Sequence, residues 1–318
     1  MSEAIDAAIS VLRDLYPLSL NCTEITFFAL QKRSWCTKSK TAKLTMDARI
    51  NTYIIKNRGK DARISRTGSD LFSYNPDTQS LWVEKKHDPV FVELLQALRR
   101  VIELNFVIGI LDEYHQNSRG SVPPVKDCHI LALKGAAVVF AVGAWEFFNQ
   151  ELVLDASRRL RKELSKPRSR FDYNKLPKGL LRSVRDSLYK KYFPGIKSLP
   201  VRKFWEKSPV QNNANLLTEY HKIKVLRYNN PDAKSTGSLM FRCFSIRDIG
   251  SRWSISGYSN KSVCQSLDEY VSIRHHLAHG ENDQRLKKVS LEEMTKFFLS
   301  LAEKQYEIVS NRLTELVR

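Results

Sequence analysis

The sequence predicts a mainly α-helical chain, an N-terminal winged helix-turn-helix joined to a C-terminal all-α helical bundle. Three observations predict it. Apolar residues recur at helical spacing in segment after segment. The strand-like runs that stand out lie around residues 63–74, with room for one short extended segment within 229–261. The strongest break in the chain, Arg119-Gly120-Ser121-Val122-Pro123-Pro124, separates the two regions. The 318 residues are therefore read as a winged helix over 1–76, a helical connector over 77–125 and a helical domain over 126–318.

Each element has its own signal. Ile5, Ala8, Ile9 and Leu12 form a first helical stripe, which Pro17 ends. Thr23 precedes Glu24-Ile25, and Phe28, Ala29 and Leu30 carry a second helix. Thr41 caps a third, with Leu44, Ala48, Ile50, Ile54 and Ile55 as apolar positions and Gly59 after it. Arg63-Ile64-Ser65-Arg66 and Leu71-Phe72-Ser73-Tyr74 read as two strands around Thr67-Gly68-Ser69. Three helices and a hairpin describe a winged helix. Val92, Leu95, Leu98, Ile102 and Phe106 then mark an amphipathic helix over 89–116. A long helix is expected from about Val125 to Leu164, apolar in its first half and basic in its second. Shorter helices follow around 178–192 and 210–228. Residues 229–261, rich in Gly, Ser, Asn and aromatics, read as an irregular insertion. Helices over 262–279 and 291–317 close the chain, and no internal repeat is present.

A net charge of +18 calls for an anionic partner, and nucleic acid is the commonest one. From Ala156 to Lys207 there are 17 Lys and Arg against 4 Asp and Glu. Arg158, Arg159, Arg161, Lys162 and Lys166 are the cations placed against RNA phosphates. Most of the interleaved rings, Phe171, Tyr173, Tyr189, Tyr192, Phe193, Phe204 and Trp205, are assigned to the core as a group. The longest uncharged apolar stretch, Gly135 to Trp145, is far short of the ~20 residues that span a bilayer, so no membrane is expected. The five cysteines have irregular spacing and no CxxC pair, which reads as free thiols in a cytoplasmic protein.

The candidate chemistry lies in Arg274-His275-His276-Leu277-Ala278-His279, followed by Gly280, a plausible helix stop. Arg stays protonated and can hold a phosphoryl oxygen bidentately. His gives or takes a proton near neutral pH. RNA carries its own nucleophile in the 2′-hydroxyl, so cleavage needs no metal or other cofactor. Residues five apart sit about 140° apart around a helix, so Arg274 and His279 diverge but their tips reach one shallow cleft. His275 and His279, four apart, share a face. No Glu follows the first His in the zinc-protease pattern, and a metal reading is set aside. Glu146, beside Trp145 in an apolar run, must be paired or hydrogen-bonded. It is either an Arg partner with no catalytic role or the group that orients Arg274 or a histidine.

Two resemblances follow from these residues. Ala8-Ile9-Ser10-Val11-Leu12, Pro17-Leu18, Glu24-Ile25, Thr37, Thr41, Gly68 and Phe72 resemble the HARE-HTH family of winged helices. That resemblance implies a DNA-contacting or modified-DNA-sensing module. Lys40, Lys43 and Arg49 would then lie on or near the reading helix and Arg63 and Arg66 on the wing. The apolar helix with Trp145-Glu146, the later helix with Arg274-His275-x-x-x-His279 and Gly280, and the long final helix resemble the HEPN superfamily over about residues 126–316. Its RiboL-PSP and MAE_28990-type branch is the most similar.

This second resemblance implies a metal-independent endoribonuclease, a homodimer whose two motifs face each other. The products would be a 2′,3′-cyclic phosphate and a 5′-hydroxyl. Arg274 would stabilise the phosphorane, His279 would be general acid or base, and His275 would support the phosphate at a position more often occupied by Asn. The combined expectation is a ribonuclease of a bacterial defence or toxin-type system, controlled by a DNA-sensing winged helix. The alternative is a non-catalytic nucleic-acid-binding regulator or the recognition subunit of a restriction system.

Overall fold

The computed structural model describes residues 3–37, 41–57, 62–76, 82, 85, 88–117, 127–164, 176–196, 199–207, 213–281 and 283–317. Lys40 and Lys166 lie outside the described residues. The chain forms two compact units, residues 1–141 with 284–296 and residues 142–283 with 297–318.

The first unit opens with α1 (Glu3–Asp14), β1 (Leu20–Asn21), α2 (Cys22–Gln31), α3 (Ala42–Lys56), β2 (Ile64–Arg66) and β3 (Leu71–Tyr74). α1 buries Ala4, Ile5, Ala7, Ala8, Val11 and Leu12, the expected stripe widened by small residues. α2 starts at a capping box: Asn21 Oδ1 accepts the Glu24 N–H at 2.9 Å, and Glu24 accepts the Asn21 N–H at 2.8 Å. Glu24 is buried, and Arg99 compensates its charge at 2.7 Å from α4 (Pro89–Asn117). Thr41 occupies the cap position of α3 but makes no side-chain cap bond among the described residues.

The strands form one antiparallel sheet in the order β1-β3-β2, with Leu20 opposite Phe72 and Ser65 opposite Ser73. Sequence reading finds two of these strands. β1 is two residues long, too short to show alternation, and it exists because Leu20 and Phe72 bury together.

α5 (Asp127–Leu164) runs from the first unit into the second. It is long and apolar enough to cross a bilayer by length and composition, with mean hydropathy 1.7 in its best window, of which 39% is buried. Counting only uncharged residues understated this, because the apolar run continues on both sides of Lys134. That ammonium donates to the carbonyls of Lys287 and Val289 at 3.3 and 2.9 Å.

The second unit adds α6 (Lys178–Tyr192), α7 (Val201–Lys207), α8 (Asn213–Leu226), α9 (Ala233–Phe244), α10 (Asn260–Ala278) and most of α11 (Leu291–Val317). The expected irregular insertion over 229–261 is therefore wrong in part. Its Ser, Thr and Gly lower helix propensity. The stripe Thr236, Leu239, Met240, Cys243 and Phe244 is nonetheless buried, and Asp232 caps the helix by accepting the Ser235 N–H at 2.6 Å. α7 was likewise unread in the basic stretch, although Phe204 and Trp205 are buried as core rings.

The core of this unit centres on Trp145, which packs against Phe148, Trp253 and Phe298 with ring centroids 5.5, 6.5 and 6.3 Å away. A buried polar chain runs beside it. Trp253 Nε1–H donates to Gln305 at 2.7 Å, Gln305 to Asn149 at 3.2 Å, and Asn149 to the Trp145 carbonyl at 2.8 Å. Each buried donor in this chain has an acceptor, so the network fixes the rotation of α5 without an orphaned polar atom.

Candidate active site

α10 carries the Arg-x-x-x-x-His motif, and its ends are specified locally. Ser259 caps the start by accepting the Ser262 N–H at 3.1 Å. Val263, Leu267, Val271 and Ile273 are its buried side. At the other end His279 is the last cap residue, and Gly280 takes φ +75°. The Gly280 N–H donates to the Leu277 carbonyl and the Glu281 N–H to the His276 carbonyl, both at 3.0 Å. This pair of bonds is a Schellman cap, which favours glycine at the left-handed position.

A Cβ at Gly280 would meet nothing within 4 Å, so a substitution there costs backbone strain and not a clash. Gly280→Ala is expected to cost roughly 1 kcal/mol of stability, and Gly280→Asn less, because Asn tolerates that conformation. Urea unfolding of the two variants measures the difference, and equal losses would discount the strain.

The cap puts the motif where α10 reaches solvent. Arg274 Nη1 donates to Glu146 Oε2 at 2.7 Å, with the two side chains 31% and 17% exposed. Glu146 is held in place by its neighbours on α5, because Trp145 and Asn149 are both fully buried. The His275 and His279 rings are exposed and 4.5 Å apart. His276 turns elsewhere. A carbonyl only accepts, so its Nδ1 carries the proton given to the Ser272 carbonyl at 2.7 Å, and its Nε2 lies 3.7 Å from Glu281. The three histidines are thus two exposed rings in contact and one ring turned toward Glu281 and Asp283. Among the described residues no group of three or more His, Cys, Asp or Glu is arranged to hold a metal ion.

The candidate nucleic-acid contacts fall into two classes. Lys43 and Arg49 are exposed on α3. Arg66 is exposed but engaged, donating to Asn51 Oδ1 at 2.5 Å and to the Ser69 carbonyl at 2.9 Å, with its guanidinium over Phe72. Arg63 is half-buried and donates to the Tyr74 hydroxyl at 3.4 Å. On α5, Arg159 meets Asp155 at 2.5 Å and Arg158 meets Asp155 at 3.6 Å and Glu151 at 3.9 Å. Those carboxylates lie just upstream of the basic stretch, one helical turn (Asp155) and two turns (Glu151) before the arginines they meet, and reduce the free charge that the 156–207 count suggests. Arg161 and Lys162 are exposed.

Sequence reading missed a second group of cations. Lys224 and Arg227 on or just after α8 and Arg242 on α9 line one cavity of about 190 Å3. They are separated in sequence, so no local charge run marks them.

Residues 103–311, more than half of the chain, match the family model described as RiboL-PSP-HEPN. No curated protein and no solved structure matches the chain.

Proposed function

The chain belongs to the RiboL-PSP-HEPN family, and on that premise we propose that it is a metal-independent endoribonuclease acting through Arg274 and His279. HEPN domains are generally ribonucleases. The single observation that carries the reading is the Arg274–Glu146 ion pair at 2.7 Å on the helix whose last turn and cap carry the paired His275 and His279 rings.

The chemistry follows from donor counting. A guanidinium has five N–H donors, and the contact with Glu146 uses Nη1. The remaining edge is available to a phosphoryl oxygen and to the charge that develops on it. One imidazole takes the proton of the 2′-hydroxyl as the O2′–P bond forms. Another gives a proton to the 5′-oxygen as the P–O5′ bond breaks. The products are a 2′,3′-cyclic phosphate and a 5′-hydroxyl. His279 fills one role. The second comes from His275 or from the motif of a second copy, and this need for an acid and a base supports a homodimer. Glu146 is a positioning residue.

The proposal extends to control. The helix–strand–helix–helix–strand–strand order of residues 3–74 supports a HARE-HTH-like winged helix-turn-helix, with Lys43 and Arg49 on its reading helix toward DNA. Such a sensor would license RNA cleavage in a defence or toxin-type system of the cytoplasm.

The test incubates the purified chain, with and without DNA, with total RNA in EDTA beside Arg274→Ala, and maps the fragment ends. Discrete cutting by the unaltered chain alone, ending in cyclic phosphate, is expected. No cutting under either condition overturns the enzymatic reading in favour of a non-catalytic regulator or a recognition subunit.

A further inference from the structure

The cavity of about 190 Å3 in the second unit lies between the C-terminal end of α8 and one face of α9. Ser235, Ser238 and Arg242 project from α9 at i, i+3 and i+7, so they share that face. Lys224 and Arg227 face them from α8 and the residue after it, and Asn230 closes one side.

Three cations and two hydroxyls thus line one small cavity. Arg227 and Arg242 have no acidic partner among the described residues, and both are exposed. Lys224 donates to Ser187 at 3.2 Å and lies 4.9 Å from the Tyr220 ring centre, neither of which is an anion. The nearest carboxylate in sequence, Asp232, is already engaged by the Ser235 N–H at 2.6 Å and by Asn230 at 2.9 Å. Burial, and then the charges of Arg242 and Arg227, hold the Lys224 ammonium below its ordinary value. Like charges gathered without acidic partners are unfavourable unless an anion joins them.

The cavity is also tied to the motif. Trp145 Nε1–H donates to the Pro231 carbonyl at 3.2 Å and Gln150 to the Tyr228 carbonyl at 3.0 Å, so the residues that flank Glu146 on α5 clamp the loop at its edge. Asp268 on α10 accepts the Ala233 N–H at 2.8 Å. The wall of the cavity is therefore fixed to the same two helices that carry Glu146 and Arg274.

We propose that the cleft between α8 and α9 is a phosphate-binding subsite, occupied by a phosphate group of an RNA chain or of a free nucleotide. The choice of nucleotide phosphate rests on the ribonuclease reading, and the anion preference rests on the cavity itself. Arg supplies paired donors that match phosphate oxygens, Lys adds a point charge, and serine hydroxyls complete the oxygen contacts.

The test uses the full chain carrying His279→Ala, so that bound RNA is not cut. R227Q/R242Q on that background is compared with K287Q/K288Q, which removes the same charge from two exposed lysines elsewhere. Equal melting temperatures establish that both pairs fold. Binding of a short fluorescein-labelled single-stranded RNA is read by anisotropy across a salt series, and AMP and inorganic phosphate by calorimetry.

In R227Q/R242Q the RNA affinity is expected to fall about tenfold beyond the control, and the salt slope by roughly 0.7 for one lost phosphate contact. That loss without AMP binding identifies an RNA phosphate as the occupant. AMP or phosphate binding that R227Q/R242Q abolishes identifies a free nucleotide. Equal or absent losses in the two pairs, with no AMP or phosphate binding, overturn the subsite. Binding is read without cleavage, so this outcome is separate from failure of the ribonuclease reading.

Discussion

Arg274→Ala is expected to lower kcat for RNA cleavage by about 10²–10³-fold, the weight of one preorganised charge at a developing oxyanion. His279→Ala should cost about 10²–10⁴-fold, the range for a positioned acid or base. Arg274→Lys keeps a cation but loses the planar fork, so it recovers only part of the rate. Glu146 gives a sharper test. It bonds Arg274 and is argued to act through it. Glu146→Ala should therefore lower kcat by less than Arg274→Ala and add no further loss when Arg274 is already alanine. Multiplicative losses in the double variant would remove the positioning role. The pair is partly solvent-exposed, so breaking it is expected to cost stability of only about 1 kcal/mol. Full loss of cleavage with near-normal unfolding then separates chemistry from folding.

How much of this was legible depends on how local the signal is. The motif helix, its glycine stop and the need for a partner at Glu146 follow from residues near one another in sequence, and the structure pairs Glu146 with Arg274. The capping box at Asn21 and Glu24 is also a local signal, an Asn followed three residues later by a Glu, although Thr23 beside them offers a competing cap. Other features depend on distant residues. β1 forms only because β3 returns beside it fifty residues later. α9 has poor propensity and is helical because its apolar stripe is buried. Arg158 and Arg159 look free in a window that begins after the acids they meet. The Lys224, Arg227 and Arg242 cluster needs two elements packed together before its charge becomes visible.

Stability is expected to fall between pH 6.5 and about 4 through one buried histidine. His221 on α8 is fully buried and packs against Phe244, with ring centroids 5.2 Å apart. Its Nε2 lies 3.0 Å from the Cys243 carbonyl, which only accepts, so Nε2 carries the proton. Nδ1 is buried with no partner among the described residues. Burial therefore pulls its pKa down from 6.5 to about 4, against a smaller opposing effect of the Cys243 bond.

The sign follows from the proton count. Above pH 6.5 the ring is neutral in both folded and unfolded chains. Below it the unfolded chain takes up a proton that the folded chain refuses until about pH 4, so stability drops across that window and levels off beneath it. The full span is worth roughly 3 kcal/mol. Carboxylates also titrate toward the acid end of this window, so the measurement is a difference. Urea unfolding of the unaltered chain and of His221→Gln is compared at pH 7, 5.5 and 4.5. Gln can still donate to the Cys243 carbonyl but cannot ionise. The unaltered chain should lead at neutral pH and lose that lead on acidification, whereas parallel curves would mean that His221 does not titrate there. The loss has a structural address. The Tyr220 hydroxyl and His221 donate to the Arg242 and Cys243 carbonyls, which lie among the last four of α9 and have no partner within the helix. Charging His221 is therefore expected to weaken the packing at that end of α9, where Arg242 also sits.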